Sequence, residues 1–139
     1  MGPVDTKATT MDESERATAT VLVIHRDRVI CELIRTVFED EGYRSLACED
    51  PATAEERTFS ESPDLIVLDW SRAQPQAEQL YERFRTDPRT ARTPILVCTD
   101  ESDPGVYAKD IPGRGDVLLP EPFDIDDLAL EARRLTESV

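Results

Sequence analysis

The chain has 139 residues, of which 39% are hydrophobic, and this fits one domain with one hydrophobic core. Its 16 Lys and Arg against 30 Asp and Glu give a formal net charge of −14. That charge argues against a nucleic-acid-binding surface and against binding to anionic membranes, because both need cations to meet phosphate groups.

The first residues differ in composition from the rest of the chain. Residues 1–19 are rich in Thr, Ala and acids, so we expect a disordered tail, followed by a folded domain over residues 20–139. No signal peptide and no run of about 18 apolar residues is found, which favours a cytoplasmic protein without a membrane span. Cys31, Cys48 and Cys98 are widely spaced and predict neither disulfides nor a zinc site.

Short continuous apolar runs, typical of strands covered on both faces, alternate with helical patterns along the rest of the chain. The predicted strands are residues 21–24, 44–47, 65–68, 95–98 and 117–119, the second being the weakest. The predicted helices lie near residues 30–38, 52–60, 77–84, 105–111 and 125–135. The core-facing stripe of the first helix is Ile30, Leu33, Ile34, Val37 and Phe38, and that of the last is Ile125, Leu128, Ala132 and Leu135. Gly42 ends the first helix.

Five successive β-α units predict a parallel sheet with helices on both faces, joined by right-handed crossovers. We predict a doubly wound, flavodoxin-like α/β fold with strand order 2-1-3-4-5, which places the site at the carboxyl ends of strands 1 and 3. The residues delivered to that edge are His25, Arg26, Asp27, Asp69, Trp70, Thr99, Glu121 and Pro122. Among these, Trp70 is interpreted as a half-exposed surface aromatic.

Four motifs give the pattern a more specific meaning. VLVIHRD, PDLIVLDW, TPILVCT and VLLPEPF resemble the first, third, fourth and fifth strands of the receiver domains of two-component response regulators. They occur in the same order and spacing, and the resemblance covers about residues 20–138. Among receivers, the chain is similar to the single-domain, chemotaxis-type proteins.

The resemblance implies roles for individual residues. Asp69 matches the phosphoacceptor, and Thr99 matches the switch hydroxyl that contacts the phosphoryl group. Pro122 matches a proline that follows a cis peptide bond, so we expect Glu121-Pro122 to be cis.

Other positions depart from the family pattern. His25 and Arg26 stand where an acidic pair should hold Mg²⁺, and Glu121 stands where a lysine should be. A guanidinium repels a divalent cation, and a carboxylate repels a phosphoryl group. Leu118 replaces the Tyr or Phe that often reports the switch, so we expect it to pack without switching.

A metal site is therefore not expected, and no cofactor is predicted. Asp27 and Asp69 are weak candidates for Mg²⁺ ligands, but the more natural role of Asp27 is the N-cap of the first helix. For His25, the role of a structural histidine with its hydrogen bonds satisfied is commoner than the role of a metal ligand. For Thr99, a hydrogen bond to local backbone is an alternative to a role in signalling.

The charges of the residues at the site predict that Arg26 takes the place of the metal ion. Arg26, Asp69 and Glu121 sum to one cation against two anions, so the site is close to neutral without an ion. We predict that Arg26 pairs with Asp69 through two parallel hydrogen bonds, lowers the pKa of Asp69 and offers further donors to Glu121. The alternative, in which Arg26 and Glu121 point to solvent, stays open.

The leading hypothesis is a receiver-like, non-enzymatic module of a two-component phosphorelay, with degenerate Mg²⁺-dependent phosphorylation. Since we see no output domain, we expect output through protein partners such as a histidine kinase or a downstream effector, and a homodimer stays open. The first alternative is an ordinary phosphoacceptor, phosphorylated on Asp69 by a histidine kinase. The second is a small flavin-binding or enzymatic flavodoxin-like protein, which the absence of a Gly-rich phosphate loop disfavours.

Overall fold

The computed structural model describes residues 19–70, 76–99 and 116–137. The elements are β1 (Thr20–Ile24), α1 (Arg28–Asp40), β2 (Arg44–Cys48), α2 (Pro51–Glu61), β3 (Leu65–Asp69), α3 (Gln76–Thr86), β4 (Ile95–Thr99), β5 (Val117–Pro120) and α4 (Ile125–Glu137). Residues 1–18 of the predicted tail and the helix predicted for 105–111 lie outside the described residues. None of the helices described is long and apolar enough to cross a membrane.

The strands form one parallel sheet in the order β2-β1-β3-β4-β5, which confirms the predicted flavodoxin-like order. Register aligns the carboxyl ends of the central strands, since Ile24 pairs with Leu68 and Asp69 pairs with Cys98. Thr99 pairs with Pro120 at the end of β5. The ends of β1, β3, β4 and β5 therefore lie along one edge of the sheet.

Alternating strand residues feed two hydrophobic cores, one on each face of the sheet. Under α1 and α4 the buried set includes Val21, Val23, Leu65, Val67, Leu96, Cys98, Ile34 and Leu128. Under α2 and α3 it includes Leu22, Ile24, Ile66, Leu68, Val97, Leu80, Tyr81 and Phe84. The continuous apolar runs of the sequence follow from this burial on both faces. All three cysteines are buried and free.

Helix α1 is fixed at both ends by local chemistry. Asp27 is its N-cap, with Oδ1 accepting the N–H groups of Val29 at 2.9 Å and Ile30 at 3.2 Å. At the other end, Gly42 adopts φ +97°, a conformation that side chains strongly disfavour. The cap places the start of α1 directly after His25 and Arg26, at the carboxyl edge of the sheet.

Two members of the predicted helix stripes are exposed, which corrects the sequence interpretation. Leu33 is 43% exposed and Ile125 is 46% exposed. In α1 the buried residues include Ile34 and Phe38, and Leu33 is rotated by about 100° from Ile34 around the helix axis. The core-facing stripe is thus narrower than the hydrophobic pattern indicated.

Trp70 is also corrected, because it is buried rather than half-exposed, with 5% of its surface accessible. Its backbone N–H donates to the carbonyl of Cys98 at 2.8 Å, so the chain continues the β3–β4 ladder for one residue beyond the strand. The indole ring packs against Tyr81 with 5.4 Å between ring centroids. This pairing directs Trp70 into the core beneath α3.

A buried polar network that the sequence analysis did not identify joins α3 to the amino ends of β4 and β5. Asp116 accepts hydrogen bonds from the hydroxyl of Tyr81 at 2.6 Å and from Arg85 Nη2 at 2.5 Å. It also accepts the N–H of Ile95 at 3.0 Å. Burial and the adjacent Asp116 carboxylate raise the pKa of Tyr81 to about 12. The network braces the edge opposite to the candidate site.

Candidate functional site

Backbone hydrogen bonds hold the site residues rigidly at the carboxyl edge of the sheet. Asp69 is the last residue of β3 and Thr99 is the last residue of β4. His25 follows β1, and its N–H donates to the carbonyl of Cys48 at 3.1 Å. Glu121 follows β5, and its N–H donates to the carbonyl of Thr99 at 2.6 Å. These bonds extend the backbone pairing of the sheet to the residues that follow β1 and β5.

Arg26 reaches Asp69, as predicted from the neighbouring positions of β1 and β3. Its Nη1 donates to Asp69 Oδ2 at 2.5 Å, and the Asp69 side chain is 1% exposed while that of Arg26 is 36% exposed. The predicted pair of parallel bonds is wrong, because Asp69 Oδ1 is buried without a hydrogen-bond partner in the described part of the chain. The guanidinium therefore neutralises Asp69 from the solvent side and leaves one oxygen unused.

His25 joins β1 to β5 beneath this contact. The ring is 1% exposed, and its Nε2 lies 3.0 Å from Glu121 Oε2. Nδ1 accepts the backbone N–H of Asp27 at 3.1 Å, so the neutral ring carries its proton on Nε2 and donates it to Glu121. We expected Glu121 to accept hydrogen bonds from Arg26. The partner of Glu121 is instead His25, at the end of β1.

Burial decides the ionisation of Asp69. It raises the pKa of Asp69 above its ordinary value, in the same direction as the charge of Glu121, while His25 and Arg26 act in the opposite direction. The prediction that Arg26 lowers this pKa is confirmed for the contribution of Arg26 itself, but burial outweighs it and the net pKa is raised. A single contact from a partly exposed guanidinium does not offset the loss of water around both carboxylate oxygens.

The remaining predicted site residues lie around this group. Thr99 is 3% exposed and adjoins Asp69 across the β3–β4 pairing. Leu118 is half-buried and packs against the core beneath α2 and α3. The Glu121-Pro122 peptide bond is cis. Asp27 uses its carboxylate to cap α1.

His25, Asp69 and Glu121 offer ligand atoms that all lie within 4.8 Å of one another. They do not fit Mg²⁺, which demands oxygen ligands and open octahedral positions. One of the three is an imidazole, Arg26 donates to Asp69 Oδ2, and Glu121 is bonded to His25. Asp27, the other predicted metal ligand, is outside this group.

The His25–Glu121 bond was missed by the sequence analysis, although a signal for it was present. The resemblance places acids at the end of strand 1 and a cation at the end of strand 5, and this chain has both signs reversed. Two reversals at strand ends that lie along one edge indicate a polar contact between the two changed residues. From the sequence alone, the two changes were interpreted as separate defects.

The chain matches the family profile described as the response regulator receiver domain over residues 21–133. That match covers all the site residues named above. It supports the motif-based resemblance with a comparison that spans most of the chain.

Curated relatives agree with this match. The chain is 27% identical over 109 residues to the phosphate regulon transcriptional regulatory protein PhoB of Pseudomonas aeruginosa, covering 78% of this chain and 48% of that protein. It is 27% identical over 115 residues to the DNA-binding dual master transcriptional regulator RpaA of Synechocystis, covering 83% of this chain and 48% of that protein. The chain thus spans about half the length of these relatives. Neither is a chemotaxis protein, so they do not support the chemotaxis-type likeness.

Solved structures share the fold. A receiver domain of a Francisella response regulator superimposes with a TM-score of 0.76 at 24% identity, covering 87% of this chain and 98% of that one. A putative response regulator from Chloroflexus aurantiacus gives a TM-score of 0.74 at 23% identity, covering 86% and 98%. These likenesses place the carboxyl edge of the sheet in a fold shared by signalling domains.

Proposed function

We propose that this chain, which belongs to the response regulator receiver family and so serves in two-component signalling, works without Mg²⁺-dependent phosphorylation. The observation that carries the proposal is the contact between Arg26 and Asp69. Transfer of a phosphoryl group to a carboxylate depends on positioning and on neutralising charge, which a metal ion and a lysine normally supply. Here a guanidinium already occupies the acceptor carboxylate.

The second part of the transfer machinery is reversed as well. At the position where the resemblance places a lysine, Glu121 presents a negative charge, and its bond to His25 holds it at the edge of the sheet. An incoming phosphoryl group would meet this carboxylate close to Asp69. Both the missing metal ligands and the reversed charge therefore act against phosphorylation.

Receiver domains interact with histidine kinases and effectors, and they are signalling domains rather than enzymes. For this chain we propose a protein partner of that kind, a cytoplasmic location and no catalytic activity of its own. Nucleic-acid binding is not proposed for this chain, because its formal net charge is −14. A second copy of the chain remains an alternative partner.

One observation favours the alternative of an ordinary phosphoacceptor. Asp69 Oδ1 has no hydrogen-bond partner within the described residues, and Thr99 adjoins Asp69 in the sheet. A carboxylate oxygen without a partner is the group that would attack phosphorus. The flavin-binding alternative gains no support from the family match.

The two hypotheses differ in one measurement. We expect that incubation with a small-molecule phosphodonor and Mg²⁺ leaves the intact mass of the chain unchanged. The control is Asp69→Asn, which removes the acceptor and defines the background. A phosphoryl adduct on the unmodified chain that is absent from Asp69→Asn would overturn the proposal and establish the alternative.

A further inference from the structure

We propose that His25, Asp69 and Glu121 form a binding site for a late first-row divalent ion such as Zn²⁺. The three side chains come from the ends of β1, β3 and β5, and their ligand atoms lie within 4.8 Å of one another. His25 Nε2 and Glu121 Oε2 are 3.0 Å apart, a separation that two ligands of one ion can adopt with bonds of about 2.0–2.1 Å. His25 and Glu121 therefore already stand at ligand spacing, and Asp69, whose ligand atom lies within 4.8 Å of theirs, has to move closer to complete the site.

A second observation points to a ligand at this place. Only 2% of the surface of Asp69 is exposed, and its Oδ1 has no hydrogen-bond partner in the described ranges. Buried polar atoms nearly always have a partner, and one explanation of an exception is an ion that the site can bind. The same carboxylate faces His25, with 3.8 Å between Asp69 Oδ2 and Nδ1.

The ligand set determines which ion is preferred. Mg²⁺ takes oxygen ligands and keeps several waters, whereas imidazole is a good ligand for zinc, copper and nickel. One imidazole with two carboxylates therefore favours the zinc class of ions. Such an ion does not need the acidic pair that is missing from the end of β1.

The two carboxylates lie at different ring nitrogens, since Nε2 faces Glu121 and Nδ1 lies near Asp69. One ring nitrogen binds the ion, so the carboxylate at the other nitrogen has to move towards it to become a ligand of the same ion. Binding of the neutral ring through Nε2 moves its proton to Nδ1, which can then no longer accept the N–H of Asp27, while binding through Nδ1 displaces that N–H directly and leaves the proton on Nε2. Either route breaks the hydrogen bond from Asp27 and keeps the ring neutral.

Arg26 is the competitor of the ion. Its guanidinium donates to Asp69 Oδ2, leaving Oδ1 for a metal but placing a positive charge beside it. The Arg26 side chain is 36% exposed, and binding of an ion requires it to move away from Asp69 Oδ2. This inference rests on the proposed function, in which Arg26 rather than Mg²⁺ neutralises Asp69.

The test uses the full chain without an affinity tag, because the chain contains a single histidine and any imidazole ligation must involve His25. Co²⁺ is titrated while its visible absorption is recorded, and Zn²⁺ or Mg²⁺ is then added as a competitor. We expect a new absorption band that Zn²⁺ removes and that excess Mg²⁺ leaves unchanged. Thermal melting of every variant confirms that it is folded.

Variants assign the ligands. We expect His25→Ala and Glu121→Gln to weaken Co²⁺ binding by about tenfold or more, and Arg26→Ala to strengthen it several-fold. The control is Glu49→Gln, which removes an exposed acid that pairs with Arg28 outside the cluster and should leave binding unchanged.

Absence of the band at millimolar Co²⁺, or equal binding by folded His25→Ala, would overturn the site. That result would leave the proposed function standing, since phosphorylation is read separately by intact mass. A phosphoryl adduct on the unmodified chain would instead overturn the proposed function.

Discussion

His25 and Glu121 meet across the carboxyl edge of the sheet, with 3.0 Å between Nε2 and Oε2, although 96 positions separate them in the chain. The contact links the end of β1 to the residue after β5. In the receivers that this chain resembles, the signs at these two places are the reverse. The pairing shows that the altered residues form one connected arrangement, in which changing either partner alone leaves a buried polar group without its bond.

Asp69→Asn should stabilise the chain at neutral pH. Burial raises the pKa of Asp69 above its ordinary value of 3.8, so between the two pKa values the folded chain holds a proton that the unfolded chain has already released. Asp69 therefore contributes stability below pH 3.8 and loses it as the pH rises through the raised pKa. Urea unfolding at a series of pH values should show the advantage of the Asn variant growing from acid to neutral pH.

The control for this prediction is Asp87→Asn. Asp87 is bonded to Arg89, which lowers its pKa, so its contribution to stability has the opposite pH dependence and is lost as the pH falls. If Asp69→Asn and Asp87→Asn change stability with the same pH trend, the buried carboxylate does not act as described.

At the edge of the sheet opposite to the candidate site, Asp116→Ala should lower the free energy of unfolding more than the loss of an exposed ion pair does. The side chains of Asp116 and Arg85 are 2% and 9% exposed, and removing one partner of a buried pair costs about 3–5 kcal/mol. As a control, Arg83→Ala removes an exposed pair with Glu55 and should cost about 0–1 kcal/mol. Chemical denaturation measures both, and similar losses would show that the network contributes little.

The sequence predicted the sheet well because burial on both faces leaves a strong local signal. The continuous apolar runs at residues 21–24 and 65–68 could hardly be surface strands, and the alternation with helices set the strand order. Strand order in turn brought Arg26 to Asp69, a contact between residues 43 positions apart. These inferences needed only patterning and topology.

The errors concern quantities that depend on how side chains pack in three dimensions. The burial of Trp70 depends on Tyr81, which lies on a different element. The raised pKa of Asp69 depends on the loss of solvent from its carboxylate, whereas the prediction from sequence considered only the charges of the neighbouring residues. Neither effect has a local signature in the sequence, and the partner of Glu121 depended on the same missing detail.

Leu118→Ala should cost less than a fully buried leucine would. Leu118 is only half-buried, so we expect a loss of about 1–2 kcal/mol, below the usual 2–5 kcal/mol for a buried Leu-to-Ala change. Its neighbour Leu119 is 9% exposed and faces the other core, so Leu119→Ala should cost more. Unfolding free energies of the two variants test the order, and a reversed order would contradict the packing.

Arg26→Asp should raise the affinity for Mg²⁺. The change removes the guanidinium from Asp69 Oδ2 and adds an oxygen ligand at the end of β1. A Mg²⁺ titration followed by the fluorescence of Trp70, which is next to Asp69 and is the single tryptophan, measures the affinity. Arg28→Asp, a change of equal charge at an exposed position, is the control. Low-millimolar Mg²⁺ binding by the unmodified chain would contradict the role given to Arg26.

Phosphorylation should return only when both reversed charges are restored together. Arg26→Asp alone leaves Glu121 bonded to His25 and facing the acceptor, so we expect Mg²⁺ binding without a phosphoryl adduct. The triple change His25→Asp, Arg26→Asp and Glu121→Lys rebuilds an acidic pair opposite a lysine. It supplies oxygen ligands for Mg²⁺ and a cation for the incoming phosphoryl group.

With a small-molecule phosphodonor and Mg²⁺, the triple variant should gain the mass of one phosphoryl group, and adding Asp69→Asn to it should abolish the gain. Asp69 and Thr99 are already the last residues of the neighbouring strands β3 and β4, so neither is changed in the variant. A triple variant that folds and binds Mg²⁺ but takes no phosphoryl group would show that another feature of the site blocks transfer. Phosphorylation of Arg26→Asp alone would show that the negative charge of Glu121 does not block transfer of the phosphoryl group.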